Sequence, residues 1–141
     1  MTLIHATVVA DPENGRAVLL RGPPGSGKSD LALRLIDLGW RLVADDQVAI
    51  EARVERLIAR SPAVIAGRIE VRGLGIMAVP HMDEATIVLV IDLVAPETIE
   101  RLPEPARYAL AGIDLPLIRL APFEASATAK VRLAAHAAGG G

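Results

Sequence analysis

Apolar residues occur along the 141-residue chain in short runs that glycine, proline and charged residues interrupt. The run LIHATVVA, the polar DPENG and the run RAVLLRG predict two strands joined by a tight turn. Residues 17–20 are continuously aliphatic, which is typical of a strand covered on both faces. RLVA predicts another buried strand, QVAIEA with VERLIA a hairpin, TIVLVIDLV a long strand and PLIRL the last strand. Between them, SPAVIAGRIEVRGLGIMAVP predicts a strand near residues 69–71 and a loop through residues 73–75.

In two other segments the sequence predicts helices instead of strands. SDLALRLIDLG places Leu31, Leu35 and Leu38 on one helical face. Gly39 follows at the position where a helix-terminating glycine is expected. PFEASATAKVRLAAHAA predicts a terminal helix opened by Pro122. With no internal repeat or linker, the alternation of strands and helices predicts one α/β domain.

Composition and charge exclude several classes of protein. Fifteen Lys and Arg against 17 Asp and Glu give a net charge of −2, whereas nucleic-acid binding normally needs a basic face. The chain has no Cys, so a disulfide framework, a thiolate zinc site and a thiol nucleophile are excluded. The longest apolar run, residues 87–91, is too short to cross a bilayer, and the N-terminus lacks the features of a signal peptide. We therefore expect a cytoplasmic protein with neither a nucleic-acid nor a membrane partner.

The segment RGPPGSGKSD at residues 21–30 contains the phosphate-binding pattern G-x-x-x-x-G-K-[ST]. Glycines let backbone N–H groups turn toward the phosphates, Lys28 can reach the β- and γ-phosphates, and the Ser29 hydroxyl can bind Mg²⁺. The pattern follows a buried strand and opens an amphipathic helix, whose N-terminus favours anions. The sequence therefore predicts a nucleotide-phosphate site made of Gly22, Pro23, Pro24, Gly25, Ser26, Gly27, Lys28 and Ser29.

Phosphoryl transfer also needs an acidic group that holds the metal or positions the nucleophile. Two strand ends offer one: Asp92 closes TIVLVID, and Asp45 with Asp46 closes RLVADD. Adjacent carboxylates repel each other unless a metal or a proton separates them, and ligands of doubly wound sheets bind beyond the carboxyl ends of the strands. A solvated turn would also explain ADD, and a strand-end cap would explain Asp92. The pattern alone leaves both strand ends open.

The segment GPPGSGKSDLALRLIDLGWRLVADD, followed by GRIEVRGLGI, resembles the catalytic C-terminal domain of the HPr kinase/phosphorylase family. A P-loop, a VADD strand end and an RGLGI signature occur in that family in this order. The resemblance runs from about His5 to Val79, and the ending LPLIRLAPFEASATAKVRLA resembles the short proteobacterial form that lacks the N-terminal domain. It implies a P-loop-containing, kinase-like α/β sheet with flanking helices and additional β-hairpins, in a single domain over residues 1–141. Residues 139–141 are expected to form a disordered tail.

The resemblance implies a role for each residue of the loop and of the acid pair. Residues 22–29 would bind the ATP phosphates, with Lys28 on the transferring phosphate and Ser29 on Mg²⁺. Asp46, the second acid of VADD, matches the family's general base, which takes the proton from the attacking serine hydroxyl. Asp45 would lie beside it, near the metal.

Three further residues match family positions. Glu70 matches a second Mg²⁺ ligand, Arg72 belongs to the same signature, and His5 matches a histidine close to the catalytic acid. Glu70 and Arg72 are two apart on the predicted strand, so a cross-strand ion pair on one face would also explain them. A purely structural histidine is the alternative for His5.

The implied activity is an ATP- and Mg²⁺-dependent serine kinase that phosphorylates the phosphocarrier protein HPr. The family also runs the reaction in reverse, as phosphate attacks phosphoserine and releases pyrophosphate. Its members form rings of six, so we expect a homo-oligomer, with a hexamer as the family's form.

The chain departs from the long family members in two places. MAVPHMDEA replaces a loop rich in glycine and basic residues, and APFEASA stands where those members have a catalytic arginine. Arg119 and Lys130 are the two residues that could supply that charge. The alternatives are a nucleotide-sensing regulatory module without transfer activity and a small-molecule kinase. The latter usually needs an arginine-bearing lid, for which the chain has no obvious insertion.

Overall fold

The structure is a computed structural model and describes residues 1–139. These residues form eleven strands and two helices: β1 (Thr2–His5), β2 (Thr7–Ala10), β3 (Arg16–Arg21), α1 (Lys28–Asp37), β4 (Arg41–Ala44), β5 (Gln47–Arg53), β6 (Arg56–Arg60), β7 (Arg68–Val71), β8 (Gly75–Ala78), β9 (Glu84–Leu93), β10 (Ala106–Leu110), β11 (Ile113–Leu120) and α2 (Ala127–Ala138). Single 3₁₀ turns occur at Ala63–Ile65 and Pro96–Thr98.

Nine of the strands form one curled, mixed sheet, and β7 with β8 forms a separate hairpin. The main path is β1-β5-β6-β9-β3-β2-β4, with β11 added to β9 and β10 to β11. Only Ala6 separates β1 from β2, and only Asp45 and Asp46 separate β4 from β5. The path therefore returns on itself, and the Ala6 N–H donates to the Asp46 carbonyl oxygen at 3.3 Å across the junction. The fold is a mixed α/β domain with a large curled sheet and two helices.

Four strands point to the same edge of this sheet. β3, β9 and β11 are parallel neighbours. β4 runs in the same direction as β3, because both pair antiparallel with β2. The glycine loop, the acid pair and the segment after β11 consequently lie beyond the carboxyl ends of strands, as expected for a ligand site in an α/β sheet. Asp92 is the penultimate residue of β9 and lies at the same edge.

Mainly aliphatic side chains form two buried layers. One layer lies between the sheet and the helices and includes Leu31, Leu35 and Val131. The other lies inside the curl of the sheet and includes Val8 and Leu57. Since residues 17–20 alternate between the two layers, this part of β3 is buried on both faces, which confirms the interpretation of the run.

The C-terminal end of α1 corrects one prediction. Leu38 does not share the buried face of Leu31 and Leu35, because it follows the last helical residue and is 54% exposed. Gly39 follows with φ +106°, and the Trp40 N–H donates to the Leu35 carbonyl oxygen at 3.0 Å. These contacts form a glycine-terminated helix end that reverses the chain. The side chain of Trp40, and not that of Leu38, is buried in the same layer as Leu31 and Leu35.

The two predicted hairpins and the strands RLVA and TIVLVIDLV are confirmed. The N-terminal run divides into two strands, however, and β8 and β10 were not predicted. Helix α2 begins at Ala127 rather than Pro122, because Pro122–Ser126 forms turns in which the Glu124 N–H donates to the Ala121 carbonyl oxygen.

At the end of α2 the Gly139 N–H donates to the Ala135 carbonyl oxygen at 3.0 Å, so this first residue of the predicted tail still belongs to the helix end. Residues 140 and 141 lie outside the described residues. Within residues 1–139 neither helix is long and apolar enough to span a membrane.

Candidate active site

The glycine loop joins the end of β3 to the start of α1, and two of its glycines allow a conformation or a close contact that a side chain would disturb. Gly27 precedes the helix with φ +100°, a left-handed conformation that side chains strain. A Cβ atom added to Gly22 would collide with the Ser26 hydroxyl. The loop folds back on itself through the Ser26 N–H, which donates to the Pro23 carbonyl oxygen at 3.0 Å. This compact turn places the first N–H groups of α1 at the sheet edge, where they favour an anion.

Lys28 lies inside this loop. Its Nζ donates to the Gly22 carbonyl oxygen at 2.5 Å and to the Pro23 carbonyl oxygen at 3.2 Å. The ammonium charge is therefore held within the curve of the loop. To contact a phosphate, the side chain must exchange these two carbonyl oxygens for phosphate oxygens.

Asp45 is the buried acid of the pair and joins three elements. Its Oδ1 accepts from the Ser29 hydroxyl at 2.7 Å and from the Thr7 hydroxyl at 3.1 Å. Its Oδ2 accepts from the Glu70 backbone N–H at 3.4 Å. Each donor is neutral, so these contacts orient the Asp45 carboxylate but do not neutralise its negative charge. Thr7 was not predicted; the only available signal was a polar residue at the start of an otherwise apolar run.

Asp46 is the exposed acid and lies in a tight turn. The Gln47 N–H donates to the Asp45 carbonyl oxygen at 2.7 Å, which closes a three-residue turn around Asp46 at φ +67°. A γ-turn with positive φ is rare and strained, and such strain is found mainly at functional sites. The turn directs the Asp46 side chain outward, with 77% of it exposed and its Oδ1 3.9 Å from the Nδ1 of His5. His5 is equally open, at 80% exposed, and pairs with Gln47 in the sheet.

Glu70 and Arg72 do not share a strand face, which corrects the prediction. β7 ends at Val71, so Arg72 lies in the exposed turn between β7 and β8. Within the described residues no hydrogen bond or ion pair joins Glu70 to Arg72, so the ion-pair alternative is not supported. Glu70 itself lies on β7, with its backbone near Asp45 and its side chain exposed.

A cleft of about 460 Å³ brings most of these groups together. Its polar walls are formed by Thr7, Lys28, Ser29, Asp45, Asp46, Arg68 and Glu70, and its apolar rim by Val64, Ile65, Ile69 and Ile76. His5 and Arg72 are not among its lining residues, and neither are Arg119 and Lys130. Lys130 is instead paired with Glu124 at 3.2 Å. Arg68, which the sequence analysis did not single out, is the arginine among the residues that line this cleft.

Asp92 forms an ion pair with Arg21 and is not among the residues that line the cleft. Arg21, its register partner on β3, donates through Nε to Oδ1 at 2.7 Å and through Nη2 to Oδ2 at 3.0 Å. The Arg21 guanidinium also lies 4.0 Å from the centre of the Tyr108 ring. The hydrogen bonds with Asp92 raise the pKa of Arg21 above its ordinary value. The carboxylate of Asp92 is thus neutralised, which distinguishes it from Asp45 and Asp46.

The donor set of the cleft fits Mg²⁺ bound together with a nucleotide. Within the described residues no three His, Cys, Asp or Glu side chains converge on one point, so a closed site made only of these side chains is not formed. Mg²⁺ characteristically uses one or two protein oxygens and completes its shell with water and substrate phosphates. Ser29 Oγ and Asp45 Oδ1, 2.7 Å apart at the mouth of the loop, are oxygens of that kind.

Fold and site together define a mixed α/β domain in which a glycine-rich loop with an interior lysine faces a pair of strand-end carboxylates. Residues 2–131 match the family model described as HPr Serine kinase C-terminal domain, and the chain belongs to this family.

Similar proteins carry related names. A Clostridium tetani protein named HPr kinase/phosphorylase is 47% identical over 81 residues, which are 57% of this chain and 26% of that protein. A Listeria welshimeri protein of the same name is 52% identical over 66 residues, 46% of this chain and 21% of that protein. These matches span about a quarter of the length of the curated relatives. A solved structure titled "Structure of the Hpr(Ser) kinase/phosphatase from Coxiella burnetii" has a TM-score of 0.81 and 29% identity, and the match covers 94% of this chain and 93% of that one.

Proposed function

We propose that this chain is a P-loop kinase domain that transfers the γ-phosphoryl group of ATP to a serine of the phosphocarrier protein HPr, with Mg²⁺ as cofactor. The names of the similar proteins and the family match support the activity and the acceptor. The observation that carries the proposal is the contact between Ser29 Oγ and Asp45 Oδ1, because it joins the phosphate loop to the acid pair in one cleft.

The loop and Lys28 bind the phosphate chain of ATP. N–H groups at the start of α1 donate to phosphate oxygens, and the Lys28 ammonium leaves the Gly22 and Pro23 carbonyl oxygens to contact the phosphate that is transferred. The Ser26 hydroxyl is buried and has no hydrogen-bond partner in the described part of the chain. A phosphate oxygen would satisfy this donor, whose desolvation is otherwise uncompensated.

Ser29 and Asp45 are the residues that would hold Mg²⁺. When bound, the ion neutralises charge on the phosphate oxygens during transfer. Asp45 accepts hydrogen bonds from Thr7 and the Glu70 backbone, so its carboxylate is oriented before any ligand binds. Glu70, whose side chain lines the same cleft, is the proposed second carboxylate of the site.

Asp46 acts as the general base. Its carboxylate accepts the proton of the acceptor serine hydroxyl while the serine oxygen forms a bond to the γ-phosphorus and the bond from that phosphorus to the β-bridging oxygen breaks, releasing ADP. Its exposure and outward direction suit a base that must reach a group on a second protein. His5, 3.9 Å from Asp46, is a positioning residue that can hold the carboxylate toward the cleft.

The reverse reaction belongs to the same proposal. Phosphate bound in the place of the β-phosphate of ADP would attack the phosphorus of phosphoserine, so that a P–O–P bond forms while the bond from that phosphorus to the serine oxygen breaks and pyrophosphate is released. Asp46 would take the proton of the attacking phosphate and pass it to the serine oxygen that leaves. Arg68 provides a cleft-lining cation for the additional negative charge. Assembly into a ring of six and a cytoplasmic location stay predictions.

The rim of the cleft favours a protein acceptor over a metabolite. Val64 and Ile76 are 86% and 64% exposed next to the polar floor. Apolar side chains that open to solvent around a reaction centre suit the surface of another protein. This observation makes the small-molecule kinase the weaker alternative.

The experiment is transfer of labelled γ-phosphate from ATP to purified HPr. We expect Mg²⁺-dependent labelling that is lost with an HPr whose acceptor serine is replaced by alanine. Addition of unlabelled phosphate to phospho-HPr should release pyrophosphate. Tight ATP binding without any labelling would instead favour the nucleotide-sensing module, and labelling of a metabolite would favour the small-molecule kinase.

A further inference from the structure

The order of the strands indicates where the nucleoside part of a bound nucleotide leaves the loop. The path from β4 to β11 runs through β2, β3 and β9, so the glycine loop after β3 lies in the middle of it. Neighbouring strands are about 4.8 Å apart, so the carboxyl ends of β4 and β11 are separated by at most about 19 Å. The carboxylates follow β4 and mark the transfer end of the phosphate chain. The segment that follows β11 lies on the opposite side of the loop.

Phe123 lies in this segment and contacts the loop directly. A Cβ atom added to Gly27 would be 2.9 Å from the Phe123 ring and 3.2 Å from Pro122. The ring is therefore packed against the loop backbone on one side. The other side is open, since Phe123 is 70% exposed. It is the only phenylalanine of the chain.

Contacts with α1 hold the segment in place. The Arg34 guanidinium donates through Nη2 to the Pro122 carbonyl oxygen and through Nε to Asp30 Oδ2 at 3.1 Å. Because α1 also carries the loop at its N-terminus, these contacts fix the ring relative to the phosphate site. An aromatic ring held in this way loses little conformational entropy when a ligand stacks on it.

We infer that Phe123 is the platform on which the purine base of the nucleotide stacks, an inference that rests on the proposed nucleotide site. Ring atoms Cζ and Cε1 lie against Gly27, and the exposed part of the ring receives the base after the α-phosphate has turned away from the acid pair. Stacking on an aromatic face is worth about 1–3 kcal/mol by alanine substitution, which corresponds to about 5- to 150-fold in affinity.

The test compares Phe123→Ala with the wild-type chain in calorimetric titrations with Mg-ATP and with inorganic triphosphate, which has no base. We expect affinity for ATP to fall about tenfold and affinity for triphosphate to stay unchanged. Leu133→Ala is the matched control, because Leu133 is also an exposed apolar side chain, at 73%. It should leave both affinities unchanged.

If Phe123→Ala lost affinity equally for ATP and for triphosphate, the inference would be overturned, because Phe123 would then support the loop rather than the base. No loss of ATP affinity would overturn it as well. A wild-type chain that binds ATP more tightly than triphosphate but does not label HPr would overturn the proposed transfer and leave the base platform intact. A wild-type chain that binds neither ligand would overturn both.

Phe123→Trp provides an independent measurement. The introduced indole should be quenched by ATP and not by triphosphate, because only ATP carries a base that can stack. The native Trp40 is buried beyond the C-terminal end of α1, away from the loop, and gives the background signal in the wild-type chain. Equal quenching by the two ligands would contradict the assignment.

Discussion

The ends of β4 and β9 look alike in sequence and differ in the structure. Both are apolar strands with an aspartate at the carboxyl end, at the same edge of the sheet: Asp45 directly follows β4, and Asp92 is the penultimate residue of β9. At β9 the carboxylate of Asp92 receives two hydrogen bonds from the Arg21 guanidinium, which cancels its charge. At β4 the carboxylate of Asp45 receives hydrogen bonds from the hydroxyls of Thr7 and Ser29, which orient it and leave its charge. The charge of the donor, and not the position of the acid, distinguishes the two strand ends, and only the carboxylate at β4 keeps the charge that the proposed metal site requires.

The largest effect should follow from removing the proposed base at β4. Asp46→Asn keeps the size of the side chain and removes its ability to accept a proton at neutral pH. We expect the rate of transfer to HPr to fall by about 100- to 10,000-fold, the usual contribution of a general base. ATP affinity, measured by calorimetry, should remain near that of the wild type. A variant that kept more than about 10% of the rate would remove Asp46 from this role.

Removing the charge of Asp45 should weaken the binding of Mg²⁺. Asp45→Asn can still accept hydrogen bonds from Ser29 and Thr7, so the fold should be retained. We expect the Mg²⁺ concentration for half-maximal transfer to rise at least about 10- to 100-fold, as loss of a metal-site partner typically causes. Asp92→Asn is the matched control at the other strand end. An equal rise of the half-maximal Mg²⁺ concentration in Asp45→Asn and Asp92→Asn would contradict the proposed difference between the two strand ends.

The acid at β9 should contribute to stability rather than to metal binding. Asp92→Asn breaks a two-bond pair whose side chains are 27% and 28% exposed. We expect the free energy of unfolding to fall by about 1 kcal/mol and the melting temperature by about 3 °C. The more exposed Arg107–Asp114 pair, at 57% and 61%, is the control. Asp114→Asn should lower the free energy of unfolding by less than Asp92→Asn does. An equal or larger decrease in Asp114→Asn would contradict the structural role of Asp92.

The smallest effect should come from the histidine beside the acid pair. His5→Asn removes an exposed contact of 3.9 Å with Asp46. Exposed ion pairs contribute about 0.2–1 kcal/mol, so we expect the transfer rate to fall by no more than about fivefold. The ratio of this effect to that of Asp46→Asn should be measured in the same assay. A loss as large as that of Asp46→Asn would give His5 a direct chemical role.

Local patterns predicted the part of the site that is continuous in sequence. The buried strand β3, the glycine loop, α1 and the acids after β4 follow one another within residues 16–46, and each has its own signal. Their meeting in one cleft also follows from the sequence, because the ends of strands that run in the same direction share an edge of the sheet.

Contacts between distant segments could not be predicted in this way. Thr7 reaches Asp45 only because β2 pairs between β3 and β4, and no local signal encodes that pairing. Arg21 and Asp92 are 71 residues apart in the chain. The strands β8 and β10 were missed because neither contains a fully buried residue, so the apolar pattern that marks a strand is weak there.

The closure of the curled sheet has a consequence for how activity is lost on heating. Ala6 connects β1 to β2, and the acid pair connects β4 to β5. The two connections lie side by side and are joined by the hydrogen bond from Ala6 to Asp46, with paired strands on either side of them. Strand pairing on both sides therefore holds the backbone at Asp45 and Asp46. Thermal inactivation and global unfolding should be one event, and the amide protons of Ala6 and Gln47 should exchange with solvent as slowly as those of the sheet core.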